Sequence, residues 1–151
     1  MNASLFFTLN LIATWYLVGL IWMVQVVHYK MFDRVGTEEF IQYEADHNRL
    51  ITPIVGIPML LELATAAALL YSAPSTFPRW AAWAGLAMVV AIWVSTAVLQ
   101  VPCHSKLMNG FDQEAYQRLV SSNWLRTALW TARGTMMGYF AAVAMRGTAV
   151  A

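Results

Sequence analysis

The chain alternates long apolar runs with polar breaks, and four runs reach the ~20 residues needed to cross a bilayer. They cover residues 5–27, 51–71, 80–101 and 124–145. This pattern predicts one all-α transmembrane domain, residues 1–151, built as a four-helix bundle. The break at 72–79 is short and rich in turn formers, with Ser72, Pro74, Ser75 and Pro78. The other two breaks are long and polar, and each holds an amphipathic stretch. In 38–47 the apolar residues are Phe40, Ile41 and Tyr43; in 113–121 they are Ala115, Tyr116, Leu119 and Val120. The two stretches predict short helices lying at the membrane surface.

Composition agrees with a bilayer partner. Hydrophobic residues make up 60% of the chain and charged residues 11%, against about 25% charge in soluble domains. A net charge of +1 gives no reason to invoke nucleic acid. The single cysteine, Cys103, excludes an internal disulfide. The first run lacks a basic leader and is too long for a signal-peptide core, so it reads as a retained span. Lys30, Arg34 and Arg49 flank the first polar connector, and Lys106 and Arg118 sit in the third, with Arg126 just inside the fourth run. Only Arg79 and Arg146 lie at the opposite side. The positive-inside rule then puts both connectors in the cytoplasm and both termini outside.

The halves echo each other. Shifted by the distance from His28 to His104, Lys30 falls on Lys106, Met31 on Leu107, Glu38 on Glu114, Phe40 on Tyr116 and His47 on Asn123. Gln25 and Gln100 each precede a histidine that closes a span. A parallel repeat of two helical hairpins would place His28 and His104 at one depth, related by an axis along the membrane normal.

Charges inside hydrocarbon cost roughly 2.5–3.5 kcal/mol or more near mid-helix. Two occur, Glu62 in the second run and Arg133 in the fourth. Each lies about ten residues from the cytoplasmic end, so at ~1.5 Å per residue both sit near mid-membrane. An ion pair is expected, serving either to fix helix register or as a proton or substrate site. On the fourth run Asn123, Arg126, Trp130, Arg133 and Met137 recur at steps of three and four, which makes one face. A face with two arginines must look inward. Gly134 and Gly138 suggest close helix approach. Trp80, Trp83 and Trp124 fit interfacial belts.

All three histidines fall at cytoplasmic ends of spans, and Glu44 precedes His47 by one helical turn. His28, Glu44, His47 and His104 form a ligand set suited to zinc, iron, copper or manganese. Cys103 is a possible further ligand. Haem b held by His28 and His104 is the other cofactor option. A lone Glu-x-x-His disfavours a symmetrical dinuclear site, which uses two such units. Pro102 would break the third span and turn His104 inward. Arg49, Asn123 and Arg126 lie near the same level, where they could support the site or hold an anionic substrate. The bland alternatives are a structural polar cap and a proton or solute pathway.

The runs Asn123-Trp124-Leu125-Arg126-Thr127 and Gln100-Val101-Pro102-Cys103-His104 resemble small four-span bacterial membrane proteins, and are loosely similar to the anthrone-oxygenase-like group. The resemblance implies a bacterial inner membrane and oxidation of a lipophilic aromatic or quinone-like substrate, with Asn123 and Arg126 near it. Residues and resemblance together point to a metal- or haem-dependent membrane oxidoreductase. In it His28, Glu44, His47 and His104 hold the cofactor, Glu62 and Arg133 polarise the cavity or relay protons, and Arg126 orients substrate. The alternatives are a small proton-coupled transporter centred on Glu62 and Arg133, or a structural or assembly subunit. A bundle of this size has little interior, so a site shared in a homodimer is also an expectation.

Overall fold

The computed structural model describes residues 3–148, with side chains through 146. The described residues form four helices and no strand. These are α1 (Ala3–Arg34), α2 (Phe40–Leu69), α3 (Arg79–Leu107) and α4 (Gln113–Thr148). By length and composition α1, α2 and α3 are apolar enough to cross a membrane. The fourth expected span is helical throughout, but its polar content keeps it below that standard. The reason lies in its inner face: Asn123, Arg126, Thr127 and Arg133 are all buried, whereas Trp124, Leu125 and Tyr139 look outward. Large apolar side chains such as Leu5, Ile12, Ile57, Leu60 and Val98 are likewise exposed on α1, α2 and α3, as a hydrocarbon surrounding requires.

The two expected surface helices are not separate elements. Residues 40–47 run without a break into the second span, and 113–121 open α4. Polarity changes at 47–51, but no residue there stops a helix. Asn48 donates back to the Glu44 carbonyl at 3.0 Å, and the Thr52 hydroxyl donates to the Asn48 carbonyl at 2.6 Å. Both bonds run back one turn along a helix that continues unbroken, and α2 passes through both Pro53 and Pro58. At the head of α4, Asp112 accepts from the Ala115 N–H at 2.8 Å, an N-cap bond. That bond, and then the Lys106 ammonium, hold the Asp112 carboxyl below the usual carboxylate range.

Two helices change pitch near the same end of the bundle. In α1 the α-helix Ala3–Met23 widens into a π turn, Val24–His28, then tightens into a 3-10 stretch, Tyr29–Arg34. In α3 the α-helix Arg79–Ser95 widens into a π turn, Thr96–Gln100, and resumes as α-helix Val101–Leu107. Pro102 therefore does not break the span. It lacks an N–H and crowds the preceding turn, and the π turn just before it supplies room. Each π turn adds a residue and so rotates the downstream side chains by about 100° relative to an unbroken helix. Each also holds one buried glutamine that reaches α4. Gln25 donates to the Val120 carbonyl at 3.1 Å and accepts from Asn123 at 2.8 Å. Gln100 donates to the Ser122 hydroxyl at 3.0 Å.

The apolar core is layered along the bundle. Phe7, Leu69, Phe77 and Phe140 close one end. Leu17, Ile21, Met59, Ile92 and Trp130 fill the middle. Tyr29, Phe32, Phe40, Leu107 and Leu119 close the histidine end. The expected close approach at the glycine pair is present. A Cβ on Gly134 would lie 3.0 Å from Val18 Cγ2, and one on Gly138 would lie 3.6 Å from Trp15 Cζ2.

Gly85 on α3 faces the Arg133 guanidinium. A Cβ there would stand 2.5 Å from Nη1 and 3.3 Å from Met136 Cε. Arg133 is held on its other side and cannot yield, so Gly85→Ala should cost about 1–3 kcal/mol through overpacking. Gly19 has nothing within 4 Å of its added Cβ, and Gly19→Ala should leave stability unchanged or raised. Thermal unfolding of the two variants in detergent checks the contrast.

Candidate functional site

Two polar centres lie inside the bundle. The first is the mid-bundle ion pair. Glu62 Oε1 accepts from Arg133 Nε at 2.9 Å and from the Thr14 hydroxyl at 2.7 Å. Oε2 accepts from Trp130 Nε1 at 3.0 Å. Arg133 Nη2 donates to Asn10 Oδ1, and Asn10 Nδ2 donates to the Glu62 carbonyl at 3.0 Å and the Thr65 hydroxyl at 2.8 Å. Both charged residues are 1% exposed. The pair expected from sequence is thus present, and neither side chain has a buried polar atom without a partner.

The second centre gathers all three histidines and Glu44 between the π turn of α1, the start of α2 and the end of α3. His28 Nε2 and His47 Nδ1 are 2.9 Å apart. One donates and the other accepts, so the two rings share one proton along that line. His47 packs face to face with His104, ring centres 5.3 Å apart, and lies 4.7 Å from His28. His104 Nδ1 donates to Glu44 Oε1 at 2.6 Å. Its Nε2 then carries a lone pair, which accepts the Tyr29 hydroxyl at 3.2 Å. These tautomers follow from the bonding network. Asn48 Nδ2 also donates to Glu44 Oε1, at 3.0 Å. Glu44 is fully buried, and its Oε2 has no partner.

A cavity of about 240 Å³ opens beside this cluster. Its apolar wall includes Leu17, Ile21, Val55, Met59 and Trp93, and its polar end includes Tyr29, His47, His104 and Arg126. Thr52 of α2 and Val101 of α3 line it and are also exposed on the outer surface. The cavity therefore reaches the outer surface between α2 and α3, at the ends of their apolar runs.

The residues singled out from sequence sort into three groups. His28, Glu44, His47 and His104 come together as one cluster. Asn123 and Arg126 meet beside the cavity, Arg126 Nη1 donating to Asn123 Oδ1 at 3.1 Å. Glu62 and Arg133 form their own closed network. Arg49 does not join them; it turns outward and pairs with exposed Asp46 at 2.9 Å. Cys103 is buried in the apolar layer with Val24, Phe32 and Leu107. Among the described residues no three or more His, Cys, Asp or Glu side chains are grouped so as to hold a metal ion. Tyr29, Asn48, Trp93 and Asn10 are the contributors that sequence reasoning passed over. Asn10 left a signal, since it precedes Thr14 by one turn in an otherwise apolar run. Tyr29 left none beyond its place next to His28.

Compared with protein families, curated proteins and solved structures, the chain matches none.

The mid-bundle network generates a direct test. Glu62→Gln leaves Arg133 as an uncompensated buried cation and should cost about 3–5 kcal/mol. Adding Arg133→Met removes that cation, and the double variant should recover part of the loss. Equilibrium unfolding of the single and double variants measures the difference.

Proposed function

We propose that all four helices cross the membrane and that the chain is a membrane oxidoreductase for a lipophilic aromatic or quinone-like substrate. The polar connectors face the cytoplasm and both termini lie outside. The observation that carries this reading is the apolar cavity whose polar end is lined by Tyr29 and His104, with Glu44 behind His104. At about 240 Å³ it falls below the roughly 300–1,000 Å³ of sites for drug-sized ligands. It therefore suits a ring system of one or two rings, with any tail left in the bilayer.

Oxidation of a quinol or phenol first requires loss of a hydroxyl proton. A substrate hydroxyl at the polar end gives its proton to Tyr29 Oη as the Tyr29 proton moves to His104 Nε2. The resulting imidazolium faces the Glu44 carboxylate through Nδ1–H, which stabilises it. The substrate is left as an anion, the form that yields electrons most readily to an acceptor. This arrangement follows the logic of a base oriented by a buried carboxylate.

The redox group expected on the histidines fits by donor chemistry, three imidazoles and a carboxylate, but not by arrangement. His28 and His47 are turned onto each other, and His104 is engaged at both nitrogens. His47 packs against both other rings, which leaves no slot for a macrocycle between His28 and His104. The carrier reading on Glu62 and Arg133 is disfavoured, because that pair keeps no unpartnered buried atom for cargo.

The test is quinol oxidation by protein purified in mild detergent, without chelator or histidine tag, with ferricyanide supplied as electron acceptor. Wild type should turn over a naphthoquinol above the uncatalysed rate. Tyr29→Phe and His104→Gln should each slow it by about 10²–10⁴-fold, the usual worth of a positioned base. Lack of turnover in wild type, or full activity in both variants, would overturn the reading. An optical spectrum and elemental analysis of the same sample report directly on haem and metal.

A further inference from the structure

We infer that the cavity is built for a lipophile with an anionic oxygen head, a carboxylate or an acidic enolate, which docks on Arg126. The inference rests on reading the cavity as a ligand site, and it narrows the substrate class within it.

Two buried arginines on one helix differ sharply in their partners. Arg133 meets Glu62 and Asn10. Arg126 is 6% exposed and lines the cavity, yet among the described residues no carboxylate lies within ion-pair distance of it. Its protein contacts are neutral. Nη1 donates to Asn123 Oδ1 at 3.1 Å, and its guanidinium carbon lies 5.1 Å from the centre of the Trp130 ring. Its Nε is buried with no acceptor. A guanidinium carries five N–H donors and keeps its charge, and burying that charge without a counter-ion costs several kcal/mol.

A second observation points into the same space. Trp93 lines the cavity from α3, and its Nε1–H is buried without an acceptor. Two residues that line one cavity therefore each keep a buried N–H without an acceptor. No Asp or Glu lines that cavity; the nearest carboxylate named, Glu44, is screened from it by His104. An oxygen anion on the Arg126 fork neutralises its charge, while an apolar body lies against Leu17, Ile21 and Met59. Arginine's planar fork suits a bidentate head such as a carboxylate, or the adjacent oxygens of a hydroxyquinone.

Such a head has two sources, an acidic quinonoid or a free fatty acid of the bilayer. The test is calorimetric titration of the full chain in lipid nanodiscs with two matched pairs. One pair is 2-hydroxy-1,4-naphthoquinone, an anion at neutral pH, and its neutral 2-methoxy ether. The other is dodecanoate and dodecanol. In at least one pair the anion should bind about tenfold tighter or more, the worth of a charge-assisted hydrogen bond in a buried site. The pair that shows the preference identifies the source. Arg126→Gln should reduce the anion to the affinity of its neutral partner, and Trp93→Phe should weaken it about threefold. Should Arg126→Gln fail to fold, the wild-type pairs still decide. Equal affinity within both pairs overturns the anionic head and leaves the quinonoid reading standing. Binding of dodecanoate with neither naphthoquinone bound overturns the quinonoid reading and leaves the anion site.

Discussion

The Glu62–Arg133 pair is the constraint on which the rest of the bundle depends. It joins α2 to α4, and its satellites Thr14 and Asn10 bring in α1. Gly85 of α3 leaves room for the guanidinium. Away from water, a charge that loses its partner is far more expensive than a displaced leucine. Sliding any helix by one turn, about 5.4 Å, would strand a charge or push a side chain into it. Hydrophobic packing alone tolerates many registers between smooth apolar helices, and this pair selects one. The selected register is the one that brings Tyr29, His47 and His104 together at the far end.

Much of this was legible in the sequence, because it comes from hydropathy and counting. The apolar runs mark the four helices. The equal depths of Glu62 and Arg133 anticipate their meeting, and the common level of the histidines anticipates their cluster. The features that sequence reasoning missed depend on local bonding. The polar stretches 38–47 and 113–121 read as surface helices because polarity suggested a boundary, yet 40–47 continues into the second span and Asp112 caps 113–121 as the start of α4. The closed pairing of His28 with His47 was also out of reach. Residue type identifies a possible ligand, but the direction of each ring nitrogen is set by π turns that no residue pattern announces. The unmet donors of Arg126 and Trp93 are visible only once every other partner is placed.

The two π turns account for how apolar spans end in a polar cluster. Each sits near the histidine end of its helix and presents a buried glutamine to the first turns of α4. Gln25 and Gln100 thus do the same work in both halves, tying α1 and α3 to one helix. The widened turns redirect the ends of both helices, so His28 and His104 approach α2 from two sides. His28 meets His47, and His104 meets Glu44.

The mouth between α2 and α3 changes what affinity means for this protein. On the proposed reading, a lipophilic ligand that reaches Thr52 and Val101 has already partitioned into the bilayer. Its effective concentration is then set by partitioning, and a weak intrinsic contact suffices when the bilayer has already concentrated the molecule. Occupancy tracks the mole fraction of ligand in the membrane. The same protein in twice as much lipid would look like a weaker binder, although nothing in its cavity had changed.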